Sequence, residues 1–132
     1  MSFFKTVEKR RSVRKFSTKA VEKSKVQKIL KAVWMGPSAK GLQNYKVFIV
    51  EDKTKKEKLI PATYGQDYVN SSLVLVFCTD PKRIKDMGSR GKNLLSVQDA
   101  TIAASYAQLA AAELGSQYLC HLLFLKVSNP YT

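Results

Sequence analysis

Apolar residues in the stretch EKSKVQKILKAVWM, residues 22–35, fall at Val26, Ile29, Leu30, Val33 and Trp34. These are positions i, i+3, i+4, i+7 and i+8, the spacing that gathers side chains on one face of an α-helix. The pattern predicts an amphipathic helix with its lysines in solvent. A shorter helix is expected at the start of the chain, where Ser2 can cap a turn carrying Phe3, Phe4 and Val7 on one face. YKVFIVE (45–51) predicts a strand, and Asp52 a cap for the charged helix KTKKEKLI that follows. SSLVLVFCT (71–79) is an unbroken apolar run, which predicts a strand buried on both faces and ended by Asp80-Pro81. Residues 93–114, NLLSVQDATIAASYAQLAAAEL, predict a long Ala-rich helix stopped by Gly115. Small and apolar residues cover most of its circumference, so it is expected to be buried all round. Gly36, Pro37 and Gly41 interrupt the pattern in GPSAKGLQN (36–44) and predict a loop.

Composition adds a partner class but not an identity. The 132 residues fit a single domain, 1–132, and 45% hydrophobic with 25% charged residues is ordinary for a folded chain. The 23 Lys+Arg against 10 Asp+Glu give +13, which attracts nucleic acid, acidic lipid or phosphorylated small molecules without choosing among them. Cys78 and Cys120 sit in apolar runs without metal-ligand spacing, and His121 is the single histidine. Both cysteines read as core residues, and no metal site is expected. No apolar run reaches the ~18 residues needed to span a bilayer, and no leader is apparent. A soluble cytoplasmic protein without a membrane partner is the expectation.

Two segments can carry chemistry. KRRSVRKFS (9–17) crowds Lys9, Arg10, Arg11, Arg14 and Lys15 around Ser12. Like charges this close repel, so the segment is either a solvated basic turn or an anion site. Arginine suits bidentate phosphate binding, and serine adds a hydroxyl donor. The loop 36–44 offers the Ser38 hydroxyl and the side-chain amides of Gln43 and Asn44, with glycines that permit close approach of a flat ligand.

RRSVRKF and PSAKGLQNY, separated by one amphipathic helix, resemble the N-terminal half of the FMN-dependent nitroreductase superfamily. NSSLVLVFCTDP and LLSVQDATIAASYAQLAAAELG resemble that family's strand and central helix in the expected order. The likeness covers about residues 2–115. It implies an α+β sandwich, a mainly antiparallel sheet flanked by helices, and an intertwined homodimer with FMN at the subunit interface. It implies that Arg10 and Ser12 contact the FMN phosphate and ribityl chain, with Arg11 in the same cluster and Arg14 toward the N1/O2 edge of the ring. Pro37, Ser38 and Ala39 would lie against the flavin, and Gln43 would contact it or the ribityl chain. NADH or NADPH would reduce the flavin, and a nitro, quinone or similar small-molecule acceptor would reoxidise it in a ping-pong cycle. The flavin carries that chemistry, so no catalytic side chain is assigned. Gln98 and Asp99, on the central helix, read as structural polar groups rather than ligands.

After Gly115 the likeness stops. SQYLCHLLFLKVSNPYT (116–132) is an atypical tail, so the fold is expected to be C-terminally truncated, with the tail covering core. Weak flavin binding and impaired turnover are then expected. Two alternatives remain beside the oxidoreductase: a non-catalytic dimeric remnant of the same fold, and a basic nucleic-acid-binding protein. The second lacks a recognisable DNA or RNA motif, and no specific nucleic acid is expected.

Overall fold

The computed structural model describes residues 2–63 and 71–115, and the backbone of 119–124. Helix α1 (Phe3–Lys9) begins where the Ser2 side chain accepts from the Lys5 N–H at 3.3 Å. Helix α2 (Lys23–Met35) is followed by a short 3-10 turn, Ala39–Gly41. Strand β1 (Tyr45–Val50) leads into α3 (Lys53–Leu59), capped by Asp52, which accepts from the Lys55 N–H at 2.9 Å. Strand β2 (Leu73–Thr79) is followed by a 3-10 run, Pro81–Met87, a single turn α4 (Gly88–Arg90) and a π turn, Gly91–Leu95. The long helix α5 (Ser96–Glu113) then leads toward β3 (Leu119–Phe124).

The sheet has the order β1-β2-β3. The β1–β2 pairing is antiparallel, with Tyr45 opposite Thr79 and Val50 opposite Val74. The β2–β3 pairing is parallel, with Leu73 beside Leu119 and Cys78 beside Phe124. β2 is therefore central, and its side chains alternate between two cores. Leu73, Leu75 and Phe77 face α2 and α5, where they meet Ile29, Val33 and the alanines Ala100, Ala103, Ala104, Ala107 and Ala111. Val74, Val76 and Cys78 face the other way and pack with Phe16, Val50, Leu59 and Ile60. This is the helix-flanked α+β sandwich, with a strand buried on both faces as its apolar run predicts. The alanines let α5 lie close to the sheet because a methyl group keeps the backbones near each other.

Four expectations are corrected. Trp34 does not share the buried stripe of α2: it is 59% exposed, while Ile29 and Val33 are buried. The eighth position of a 3.6-residue repeat drifts off the face centre, and the helix ends one residue later. Helix α5 is not buried all round in the single chain: Thr101, Ser105 and Tyr106 are exposed. It also starts at Ser96 rather than 93, because the π turn occupies the preceding residues. Residues 119–124, read only as an apolar cover, form a paired strand. The buried setting expected for Cys78 is found, whereas the Cys120 side chain and the rest of the tail lie outside the described residues.

Candidate functional site

The loop between α2 and β1 is held from below by one carboxylate. Asp99, buried on the first turn of α5, accepts from the Ala39 N–H at 2.9 Å through one oxygen. Its other oxygen accepts from the Asn44 N–H at 3.2 Å and from the Asn44 side-chain amide at 2.7 Å. Ala39 and Asn44 are the two limbs of the loop, so a single side chain gathers both. Inside this ring the Gln43 N–H donates to the Ser38 hydroxyl oxygen at 3.0 Å. The Asn44 amide also donates to the Ala39 carbonyl at 3.3 Å. Two residues that are not glycine take left-handed backbone angles here, Lys40 at φ 53° and Gln43 at φ 45°. Gly41, at φ 64°, needs the freedom that only glycine has without strain.

The outer side of the loop is tied to the segment after β2. Lys40 pairs with Asp86, and the Arg83 guanidinium donates to the Leu42 carbonyl at 3.4 Å. The hydrogen bond from Lys40 holds the Asp86 carboxyl below its ordinary range. Pro37 is exposed, and Ser38, Ala39 and Gln43 are half-buried. Asn44 is fully buried: its N–H and side-chain amide N–H groups are committed to the ring, while its Oδ1 has no hydrogen-bond partner among the described residues.

The basic segment leaves the end of α1. Arg10 caps that helix with its N–H on the Thr6 carbonyl at 3.0 Å and is half-exposed, while Arg11, Ser12 and Arg14 are exposed. Arg11 folds back on its own helix, donating to the carbonyls of Glu8 and, at 2.9 Å, Arg10. A cation on the last carbonyls of a helix is a stable arrangement, and it draws Arg11 away from the cluster. Among the described residues, neither Arg10 nor Arg14 has an ion-pair partner. Helix α1 is itself anchored by Thr6, whose hydroxyl donates to Glu113 at the far end of α5 and holds that carboxyl below its ordinary range.

The two segments are thus fixed to opposite ends of one helix. From Asp99 to Glu113 the rise along α5 is about 21 Å, at 1.5 Å per residue. Among the described residues, no hydrogen bond or ion pair joins Arg10, Arg11, Ser12 or Arg14 to the loop. A separate groove of about 360 Å³ between α2 and β1, lined by Leu30, Trp34, Phe48 and Arg83 among others, contains none of the predicted site residues. The structural role expected for Asp99 is found, but the sequence does not foretell its partners: an acid in the first turn of a helix does not say which remote backbone groups it will meet.

Comparison with known proteins places these elements. Residues 7–67 match the family model described as the nitroreductase family, and that span contains every predicted site residue. A protein of Archaeoglobus fulgidus named for NADH dehydrogenase/NAD(P)H nitroreductase is 36% identical over 115 residues, covering 84% of this chain and 62% of the relative. The structure of the oxidoreductase YcnD from Bacillus subtilis superposes with a TM-score of 0.76 at 29% identity, covering 86% of this chain and 51% of that one. An FMN-dependent nitroreductase from Clostridium difficile superposes with a TM-score of 0.65 at 40% identity, covering 83% and 60%. The chain thus spans between about half and three-fifths of the length of these proteins. Among the described residues, no helix is long and apolar enough to cross a membrane. Over residues 7–67 the sequence matches the nitroreductase family model, and over the described elements the chain shares the fold of solved nitroreductases.

Proposed function

We propose that this chain acts as an FMN-dependent NAD(P)H oxidoreductase of the nitroreductase type, working on a nitro, quinone or similar small-molecule acceptor. Bound FMN would supply the chemistry, taking hydride from NADH or NADPH and passing it to the acceptor. The observation that carries the reading is that two sets of uncommitted polar groups lie inside the family-matched span. One set is Arg10 and Arg14, cations without an ion-pair partner among the described residues, with the exposed Ser12 hydroxyl between them. The other is the clamped loop, where the Ser38 oxygen already accepts from Gln43 and its hydrogen is left to donate outward.

These donors suit FMN. A phosphate dianion calls for cations and hydroxyl donors, which Arg10 and Ser12 provide. Arg14 would stabilise negative charge at the N1/O2 edge of the ring. Pro37, Ser38, Ala39 and Gln43 would pack and orient the ring. Arg11, committed to the end of α1, would contribute at most through its charge.

The spacing of the two anchors along α5 supports a site shared between two copies of the chain, each giving one segment. A homodimer would also cover Trp34, Met35 and Phe4, large apolar side chains that are 59%, 71% and 76% exposed. The test is the visible absorbance of the purified chain, FMN titration, and NAD(P)H oxidation with a quinone or nitro acceptor. FMN binding with acceptor-dependent oxidation is the expected result. Tight FMN without turnover would fit the non-catalytic alternative, and a chain that stays colourless with added FMN would refute the proposal.

A further inference from the structure

The Asp99 carboxylate is buried, and among the described residues the three hydrogen bonds that its side chain accepts all come from the loop. Its three donors come from Ala39 and Asn44, the two limbs of the segment that carries Ser38 and Gln43. We infer that Asp99 is a positioning residue for the flavin-facing loop, setting the direction in which Ser38 and Gln43 present their hydrogen-bonding groups. The inference rests on the FMN reading above.

The geometry supports this in three ways. First, the left-handed angles at Lys40 and Gln43 are strained for side-chain-bearing residues. Such strain persists only where surrounding contacts over-determine it, and the ring around Asp99 is that contact. Second, the Ser38 oxygen receives the Gln43 N–H only while the loop stays closed. That bond fixes which way the serine hydroxyl can donate. Third, the backbone N–H groups of Ala39, Gly41, Leu42, Gln43 and Asn44 are all satisfied within the loop or by Asp99. A flavin edge would therefore be read by side chains and by the N–H groups of Ser38 and Lys40, which the ring leaves uncommitted. Opening the clamp would release competing backbone donors and turn Ser38 away.

The experiment compares the wild-type chain with Asp99→Ala, Asp99→Asn and, as a control, Ile29→Val. Ile29 lies in the same core but touches no loop residue through a polar contact. In the flavin-free chain, amide hydrogen exchange should speed up at Ala39 and Asn44 by about 10-fold or more in Asp99→Ala, with β2 amides unchanged. FMN dissociation constants should rise about 10- to 100-fold in Asp99→Ala and by a smaller factor in Asp99→Asn, which keeps one acceptor oxygen. Ile29→Val should leave FMN affinity within about twofold, since it alters only packing. If Asp99→Ala does not fold, Asp99→Asn carries both measurements. Unchanged FMN affinity in a folded Asp99 variant, or an equal loss in Ile29→Val, would overturn the inference while leaving the FMN reading intact. Failure of the wild-type chain to bind FMN would overturn the reading and the inference together.

Discussion

The Tyr45 hydroxyl donates to the Val33 carbonyl at 3.2 Å, tying the first residue of β1 to the last turn of α2. The same carbonyl accepts the Gly36 N–H at 3.2 Å, so the entry and exit of the loop meet at one oxygen. Burial pushes the Tyr45 phenol up, the nearby Asp99 charge adds to this, and Arg83 opposes it.

A proton held more tightly in the folded state stabilises the fold below the ordinary phenol value of about 10 and ceases to do so as pH rises through the folded value. Stability should therefore fall above about pH 10. Tyr45→Phe should flatten part of that slope and cost about 1 kcal/mol at neutral pH. The cost stays modest because the Val33 carbonyl keeps its second donor. Urea denaturation at neutral and alkaline pH reads both effects, and an equally steep alkaline loss in the Phe variant would exclude Tyr45 as its source.

A close approach fixes the π turn before α5. A Cβ at Gly91 would lie 2.8 Å from the Ile84 carbonyl oxygen and 3.0 Å from its Cγ2. Gly91→Ala should destabilise by about 1–3 kcal/mol, because buried backbone must move. Gly41→Ala meets open space, but its φ of 64° should still cost about 1 kcal/mol. Denaturation midpoints for the pair check whether crowding or backbone angle dominates. The idea fails if Gly91→Ala is neutral.

Arginines 10, 11 and 14 should separate in function. Arg10→Ala and Arg14→Ala should each weaken FMN by about 10- to 100-fold, the loss expected for a charge-assisted hydrogen bond. Arg14→Ala should also lower the flavin reduction potential. Arg11→Ala should affect FMN least, because its guanidinium already holds the end of α1. Flavin fluorescence titration and a potentiometric titration measure these. Equal losses for all three would point to bulk charge rather than placed contacts.

Association should depend on side chains that one chain leaves uncovered. Met35→Lys should shift sedimentation toward monomer without changing the far-ultraviolet spectrum, since Met35 is 71% exposed. Ala104→Trp, an obvious way to probe a small-residue helix, would not discriminate. Ala104 is 5% exposed within the single chain, so a large side chain there disrupts the chain's own core. A Met35→Lys chain that sediments like the wild type would remove this surface from the proposed dimer.

Local chemistry made much of the fold legible in the sequence. Ser2 and Asp52 cap their helices because a short side-chain oxygen can reach an N–H three residues on. The unbroken run through Leu73–Thr79 specified a strand buried on both faces, and the alternation at β2 divides it between two cores. The basic segment and the loop were visible as residue types, and the family could be recognised from their order. Tertiary structure decided the rest. Helical spacing placed Trp34 beside Val33, yet only the position of α5 and the sheet determines that one is covered and the other open. Arg11 was indistinguishable from Arg10 until α1 offered it carbonyls. Asp99 lies 60 residues from Ala39 and 55 from Asn44, and no local pattern reports a contact across that distance. A hydrogen bond between remote segments exists only after the chain has packed, so the sequence determined the parts of this loop and the fold determined its shape.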